Sequence, residues 1–197
     1  PHHYNILKII NDTMTNNPKY ALELLNSIDQ TTLEHDFSTQ EFHEYQILLS
    51  EANYKNFINQ TNYDEITKAN KYFDSLSVQY PKNIDIRYLN AKSHYYKAVG
   101  LEELEKTKEA FNDYLKSLEL LDEIYLKEKK INEKLSNNIK HFKALIYTRL
   151  GDILYWHDVY NPAIECITNA NKLFSEENNQ NALSRNNIIL AVIYGLN

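Results

Sequence analysis

The sequence predicts an all-α fold in which antiparallel helix pairs stack as a solenoid. Residues 147–170 place small and large apolar residues at the spacing of a helix-turn-helix unit, and units of this kind recur along solenoids. The composition agrees, since three glycines and four prolines in 197 residues leave little for β-turns, and 43% hydrophobic residues suffice for a core. We expect about nine helices in one irregular domain over residues 1–197.

The first predicted hairpin covers residues 4–28. Asn17 and Pro18 open its second helix, because an asparagine N-cap followed by proline at the first helical position is typical of a helix start. Apolar residues then follow at helical spacing: Ala21, Leu22, Leu25 and Ile28. A preceding helix from about Tyr4 to Met14 completes the pair.

The second predicted hairpin covers residues 39–80. Its first helix is the run from Thr39 to Phe57. In its second helix, Ala69, Phe73 and Pro81 follow the spacing of a small residue, an aromatic residue and a terminating proline. The third predicted hairpin covers residues 85–125.

The third hairpin is longer than the others. Its small positions, Ala91 and Ala110, are nineteen residues apart, whereas Gly151 and Ala163 in the clearest unit are twelve apart. We expect the difference to be about two extra helical turns or a longer loop.

The clearest unit covers residues 137–175. Gly151 and Ala163 are small where its two helices approach each other, which allows close packing. Larger side chains surround them: Tyr147, Leu150, Leu154 and Ile167. Asn161 and Pro162 predict the N-cap and the first residue of the second helix. The predicted turn is therefore residues 156–160.

A final helix is predicted over residues 184–196. Its residues 188–194 are apolar almost all round, and such a helix is expected to be buried on more than one side. Solenoids normally end in an element with a polar outer face. We therefore expect the chain to be a fragment of a longer protein, or this helix to be covered by a partner, which includes a second copy of the chain. The start at Pro1 agrees with a fragment, and His2 and His3 are either native or a tag remnant.

The pattern of residues 147–170 resembles the tetratricopeptide repeat, a helix-turn-helix unit of about 34 residues. Leu150 and Gly151 match the family pattern, Tyr147 stands where tryptophan is common, and Ala163 falls twelve residues after the glycine. Three positions depart from the pattern: Leu154, Ile167 and Ser175. The resemblance implies a right-handed α-solenoid that binds a protein or peptide in a groove lined by the first helix of each repeat.

Four positions of each first helix tend to face the bound peptide in this family. Carried onto this sequence, they imply a peptide- or protein-binding groove lined by Tyr88, Lys92, Tyr95, Tyr96, Thr148, Asp152, Tyr155 and Trp156. Aromatic residues with a polar tip suit such a groove, and Lys92 and Asp152 are candidates to anchor a peptide backbone or terminus. The alternative is that the tyrosines, sixteen in all, pack one repeat against the next.

Over most of its length the chain is also similar to tetratricopeptide proteins of Bacteroides-type bacteria. The residues that carry this resemblance are Pro18, Ala21, Leu22, Leu25, Ile28, Tyr45, Leu48, Leu49, Ala52 and the block from Tyr147 to Gly151. It implies the sensor or interaction domain of a bacterial transcriptional regulator, periplasmic or membrane-anchored after signal removal, with a membrane helix and a DNA-binding segment beyond Asn197. Two alternatives stay open: a free-standing scaffold or assembly factor, and a cytoplasmic peptide-sensing regulator.

Other classes of function find little support in the sequence. A net charge of -6 argues against nucleic-acid binding through this segment, and the basic residues of 127–134 alternate with acidic ones, as in a solvated helix end. No run of about 18 apolar residues predicts a membrane span. Metal-binding, nucleotide-binding and nucleophile motifs are absent from the sequence, so we expect no enzymatic activity, cofactor or metal. Cys166 is expected to be a small buried residue.

Overall fold

The computed structural model describes residues 2–60, 62–127 and 131–196, with the side chains of residues 6–60, 62–126 and 131–195. These ranges contain ten α-helices and no strand, which confirms the all-α fold. The helices are α1 (His2–Thr13), α2 (Pro18–Asn26), α3 (Gln30–His35), α4 (Thr39–Lys55), α5 (Tyr63–Gln79), α6 (Ile84–Glu103), α7 (Thr107–Lys127), α8 (Glu133–Trp156), α9 (Tyr160–Glu176) and α10 (Gln180–Leu196). The side chains of His2, His3, Lys127, Lys129 and Lys130 lie outside the described residues.

The chain divides into two compact units, Pro1–Lys106 and Thr107–Asn197. The division falls between α6 and α7, the two helices of the hairpin predicted at 85–125, so that hairpin and the single continuous domain stay predictions. Helices that follow each other in sequence pack together inside each unit, as in α4 with α5 and α5 with α6, or α8 with α9 and α9 with α10. This packing of consecutive helices is the local arrangement that a solenoid requires.

The first unit begins with a core formed by α1, α2 and α4. Its buried residues include Leu7, Ile10, Met14, Ala21, Leu25, Tyr45, Leu48 and Ala52. The predicted start of α2 is confirmed, because the side chain of Asn17 accepts a hydrogen bond from the backbone N–H of Tyr20 at 3.1 Å and Pro18 is the first helical residue. An N-cap of this kind satisfies one of the N–H groups that a helix start leaves unpaired.

The six-residue helix α3 was not predicted from the sequence, so the described ranges contain ten helices where about nine were expected. Asp29 caps α3 by accepting a hydrogen bond from the backbone N–H of Thr32 at 2.9 Å. Leu33 is 8% exposed and joins the core of the first unit. A single buried leucine in one and a half turns leaves no periodic pattern that a sequence can show.

The long spacing between Ala91 and Ala110 is due to the length of α6. This helix ends twelve residues after Ala91, at Glu103, whereas α8 ends five residues after Gly151. A loop of three residues follows each of the two helices. The additional residues are therefore helical, which confirms two extra turns rather than a longer loop.

Four helices end in the same left-handed turn, and none of these turns uses a glycine. The residue with positive φ is Phe57 (58°), Glu105 (59°), Asp158 (59°) or Asn178 (56°). In the first turn, the backbone N–H of Phe57 donates to the carbonyl of Tyr54 at 3.2 Å, and that of Ile58 donates to the carbonyl of Asn53 at 2.9 Å. These bonds satisfy carbonyls at the helix end, but the left-handed conformation strains any residue with a Cβ. Phe57 gains little packing in return, because it is 98% exposed.

We expect Phe57→Gly to raise the free energy of unfolding by about 0.5–1 kcal/mol, because glycine removes the strain and almost no buried contact is lost. Urea denaturation followed by circular dichroism measures this change. Phe57→Ala is the matched control, since it removes the ring but keeps the strained backbone, and its effect should stay within about 0.5 kcal/mol. Destabilisation by the glycine variant would show that the ring makes a stabilising contact.

In the second unit, α8 and α9 form the predicted helix pair of the clearest repeat. A Cβ added to Gly151 would lie 2.5 Å from Cδ1 of Ile167 and 3.4 Å from the carbonyl oxygen of Ala163, so the two helices approach closely at the glycine. The buried apolar residues of this hairpin include Leu150, Ile153, Ala163, Ile167, Ala170 and Phe174. The interpretation of Gly151 and Ala163 as small packing positions is confirmed.

The start of α9 differs from the prediction. The helix begins at Tyr160, two residues before Pro162, and the residue at its N-cap, Val159, makes no side-chain cap. Proline is tolerated anywhere in the first turn, because the first N–H groups of a helix have no acceptor within it. The pair Asn161-Pro162 is therefore compatible with a helix start at Tyr160 as well as at Pro162, and the predicted start at Pro162 was wrong.

α10 packs through one side against α8 and α9. Ile193 and Asn186 are 0% and 1% exposed, whereas Ile188, Tyr194 and Val192 are 66%, 61% and 43% exposed. The other residues of this chain thus do not bury α10 on more than one side. That a partner or a second copy covers its exposed side stays a prediction. Neither α10 nor any other helix of the described ranges is long and apolar enough to cross a membrane.

Candidate functional site

The predicted groove residues of the first unit lie together on α6, but most of them are buried. Tyr95 and Tyr96 are 0% exposed, Lys92 is 3% exposed, and Tyr88 is half-buried. The rings of Tyr95 and Tyr96 are nearly perpendicular, with centroids 5.1 Å apart, and both contact the ring of Tyr54 on α4, at 5.9 and 6.2 Å. Edge-to-face contacts of this kind stabilise a core. The burial favours the alternative interpretation, in which these tyrosines pack helices together.

Lys92 forms a buried ion pair with Glu51 of α4. Glu51 is 4% exposed, and its other carboxylate oxygen lies 3.3 Å from the ammonium of Lys55. Burial by itself would raise the pKa of Glu51, but the two ammonium groups outweigh burial and hold that pKa below its ordinary value. Burial, and then the charge of Glu51, raise the pKa values of Tyr88 and Tyr96 well above the ordinary value. Lys92 therefore neutralises a carboxylate of its own unit, whereas the sequence suggested an anchor for a peptide.

Two groove residues of the second unit hold the neighbouring helix α10. Thr148 is 6% exposed, and its Oγ1 accepts a hydrogen bond from Nδ2 of Asn186 at 3.3 Å. The carboxylate of Asp152 accepts a hydrogen bond from Nη2 of Arg185 at 2.8 Å. Burial raises the pKa of Asp152, although Arg185 and Arg149 oppose this shift. Like Lys92, Asp152 already has a partner within its unit.

Tyr155 and Trp156 are the more accessible groove residues of the second unit. Trp156 is 78% exposed at the end of α8, and Tyr155 is half-buried. The ring of Tyr155 contacts those of Trp156 and Tyr160, with centroid distances of 5.3 and 6.4 Å. The eight predicted residues thus form one set in each unit, and only the second set has an exposed member, Trp156.

A cavity of about 240 Å³ opens between α7, α8 and α9 of the second unit. It is lined by Tyr125, Lys140, Lys143, Tyr147, Asn169, Lys172, Leu173 and Glu176, and we refer to it as the lysine–tyrosine pocket. It contains none of the predicted groove residues. On α8, its lining residue Tyr147 and the groove residue Thr148 point to different sides of the helix. Its lining carries three lysines and one carboxylate in a chain of net charge -6, so the pocket is locally basic.

Two lysines of the pocket have partners that fix their positions. Nζ of Lys140 lies 2.7 Å from Oε2 of Glu176, and this contact holds the pKa of Glu176 below its ordinary value. Lys143 pairs with Asp122 of α7, and its Nζ lies 5.7 Å from the centroid of the Tyr125 ring. An ammonium over an aromatic face is attracted by the ring. Both lysines therefore contribute aliphatic stems and positioned charges to the pocket wall.

Neutral hydrogen-bond donors complete the wall of the lysine–tyrosine pocket. Burial, and then the negative charge of Asp122, raise the pKa of Tyr147, so its hydroxyl remains a donor at neutral pH. The carboxamide of Asn169 adds two N–H groups, and Leu173 adds apolar surface. The pocket thus offers charge, hydrogen bonds and apolar contact within one small volume.

This pocket was not predicted from the sequence, in which the basic run at 127–134 was interpreted as a solvated helix end or loop. The lining residues share the spacing i, i+3 and i+7 on each helix, with Lys140, Lys143 and Tyr147 on α8, and Asn169, Lys172 and Glu176 on α9. This spacing places each set on one helix face, and it is a signal that the sequence does contain. That the two faces meet follows only from the packing of α8 against α9.

The cysteine of the chain and its potential metal ligands were expected to have no chemical role. Cys166 is half-buried on α9, and burial, followed by the charge of Glu165, raises the pKa of its thiol. A raised pKa lowers the thiolate fraction and hence the reactivity of a cysteine. No group of three or more His, Cys, Asp or Glu side chains in the described ranges is placed to hold a metal ion.

No protein-family model matches the chain, and no curated protein or solved structure matches it. The resemblance to tetratricopeptide repeats therefore rests on the residues of the sequence, and it stays a prediction.

Proposed function

We propose that the chain is a non-enzymatic domain that binds a protein or a peptide, and that the lysine–tyrosine pocket receives one residue of this partner. The composition of the pocket supports the proposal, because tyrosine rings and lysine stems provide apolar contact beside ammonium, hydroxyl and amide donors. Its volume of about 240 Å³ is small beside the roughly 300–1,000 Å³ of pockets for drug-sized ligands. A single side chain or a chain terminus of a peptide suits that size.

The helical frame is consistent with this role. Helix hairpins hold their surface side chains on rigid elements, and recognition of a peptide costs less entropy when the site is already formed. The exposed ring of Trp156 lies in the same unit as the pocket and adds a second candidate contact for the partner. Aromatic residues of this kind often carry a large share of binding energy.

The resemblance to tetratricopeptide proteins of Bacteroides-type bacteria supports a more specific proposal. In it, the chain is the sensor or interaction domain of a transcriptional regulator, located in the periplasm or anchored to a membrane. A free-standing scaffold or assembly factor, and a cytoplasmic peptide-sensing regulator, would use the same peptide-binding activity. The full-length gene distinguishes them, because only the leading proposal requires a membrane helix and a DNA-binding segment.

We expect selection of a random peptide display library on the purified chain to yield a consensus motif. Binding of the selected peptides should shift the backbone amide signals of Lys140, Tyr147, Asn169 and Lys172 in heteronuclear NMR spectra. Asn169→Trp, which fills the pocket, should weaken binding by about tenfold or more, equivalent to about 1.4 kcal/mol.

Asn112→Trp is the matched control, because Asn112 is exposed on α7 and does not line the pocket. This variant should bind the peptides like the wild type. Failure to select any consensus, or shifts that avoid the pocket and persist in Asn169→Trp, would contradict the proposed site.

A further inference from the structure

The three lysines of the lysine–tyrosine pocket outnumber by one the carboxylates that pair with them, which are those of Glu176 and Asp122. Lys140 is paired with Glu176 and Lys143 with Asp122, so two ammonium groups meet two carboxylates. Lys172 is exposed and forms no hydrogen bond or ion pair within the part of the chain that the structure describes. The charge of Lys172 acts on Glu176, but that carboxylate is already paired with Lys140. Among these five groups, three ammonium groups therefore share two carboxylates, and a ligand group with a single negative charge would balance them.

The hydrogen-bonding groups of the pocket indicate which anion fits. The side chains of Tyr147, Asn169 and Lys172 all supply donors, and the complementary ligand group is one rich in acceptors. An ionised carboxylate has one negative charge and two oxygens that accept several hydrogen bonds. A phosphate monoester carries about -1.5 to -2 charges at neutral pH, which exceeds the imbalance in the pocket.

We propose that the lysine–tyrosine pocket binds a carboxylate of the peptide partner, with Lys172 as its ionic contact and Tyr147 and Asn169 as hydrogen-bond donors. This inference rests on the proposed function, because the carboxylate is taken to belong to a peptide. Two sources share this chemistry, namely the C-terminal carboxylate of the peptide and the side chain of an aspartate or glutamate. The experiment separates them.

Four dipeptide probes are titrated into the isotope-labelled chain and followed by NMR. They are acetyl-Ala-Leu as the free acid, acetyl-Ala-Leu amide, acetyl-Glu-Leu amide and acetyl-phosphoserine-Leu amide. We expect saturable shifts at Lys140, Asn169 and Lys172 with the free acid, with the glutamate probe or with both, and no saturation with acetyl-Ala-Leu amide. The probe that binds identifies the source of the carboxylate. Equal binding of the acid and the amide, or binding of the phosphorylated probe alone, would overturn the inference.

Two charge variants should change the affinity for the carboxylate probe in opposite directions. Lys172→Gln should weaken binding by about fivefold, which is the upper range for an exposed ion pair. Lys172→Arg should retain binding because the positive charge remains. Glu176→Gln should strengthen binding, because it frees the ammonium of Lys140 from its internal partner.

The neighbouring residues Lys108 and Glu109 provide matched controls for charge. Both are exposed on α7 in the same unit and neither lines the pocket. Lys108→Gln and Glu109→Gln alter the net charge by the same amounts as the pocket variants, and they should leave the affinity unchanged. Equal effects of the control and pocket variants would mean that only the general field of the protein acts, which would overturn the inference.

The outcome separates this inference from the proposed function. If display peptides bind at the pocket while the acid and amide probes do not differ, peptide binding stands and the carboxylate assignment fails. If the carboxylate probes bind as expected but no peptide is selected, the anion site stands and the peptide-binding function fails. Circular dichroism of each variant verifies that the helical fold is retained.

Discussion

Replacing Lys92 with methionine is expected to lower the free energy of unfolding by about 3 kcal/mol, because it leaves the carboxylate of Glu51 buried without its main partner. Glu51 is 4% exposed, so water cannot take over the role of the ammonium. Lys55 stays 3.3 Å from the other oxygen, which keeps the loss at the lower end of the range for broken buried ion pairs. Urea denaturation at neutral pH measures the change.

Two further variants distinguish a buried charge from lost packing. Glu51→Leu combined with Lys92→Met replaces the whole pair by apolar side chains and should recover most of the stability. Lys68→Met removes a lysine from an exposed ion pair with Glu65 and should cost less than about 1 kcal/mol. A double variant as unstable as Lys92→Met would show that the packing of the lysine stem matters, and not its charge.

The pH dependence gives a separate test of the same pair. In the folded wild type the pKa of Glu51 is lowered, so the stability contributed by this carboxylate is present above the ordinary value of 4.5 and is lost as the pH falls through the lowered value. In Lys92→Met, burial favours the protonated carboxyl group, and acidification relieves the cost. The stability difference between wild type and variant should therefore shrink as the pH falls towards the ordinary value of 4.5 and continue to shrink below it. A difference that is constant with pH would contradict the assignment.

Gly151→Val is expected to destabilise the second unit by about 3 kcal/mol, because overpacking of a tight helix contact forces side chains or backbone to move. A Cβ at this position would be 2.5 Å from Cδ1 and 2.7 Å from Cγ1 of Ile167. The carbonyl oxygen of Ala163, at 3.4 Å, would be in ordinary contact, so the clash is with the isoleucine, whose fully buried side chain has little free space into which it could move. Thermal and urea denaturation measure the loss.

Gly195 offers a matched control in α10. A Cβ at Gly195 would meet no atom within 4 Å, so Gly195→Val should change stability by no more than about 0.5 kcal/mol. Combining Gly151→Val with Ile167→Val removes the closest atom and should recover part of the loss, as a coupling of at least about 0.5 kcal/mol. Additive effects in this double variant would place the strain somewhere other than the α8–α9 contact.

Much of the fold could be predicted because helices and their close contacts leave local patterns. Asn17 and Pro18 mark a helix start through groups that lie within one turn, and Gly151 marks a close approach because only a small residue fits there. α3 left no pattern because six residues bury only Leu33. The start of α9 was placed two residues late, since proline fits several positions of a first turn.

The candidate site was much less predictable. Family positions selected Tyr95, Tyr96 and Lys92, yet burial and the charge of Glu51 give these residues a structural role in the first unit. In the sequence, the residues of the lysine–tyrosine pocket are indistinguishable from solvated lysines and packing tyrosines, because each helix contributes only part of the lining. The excess of positive charge at the pocket can be recognised only when the structure shows that Lys140 pairs with Glu176 and Lys143 with Asp122.

By itself, the sequence determined that this chain is all-α, where most of its helices lie, that the spacing between Ala91 and Ala110 is lengthened, and that Gly151 and Ala163 are points of close packing. These properties follow from residues that are near each other in the chain, within a turn, a helix or a hairpin. The tertiary structure alone decided which tyrosines are buried, which charges are paired, and where a cavity opens between α7, α8 and α9. Burial, ion pairing and cavities depend on atoms brought together from distant parts of the sequence, so no local sequence pattern can predict them.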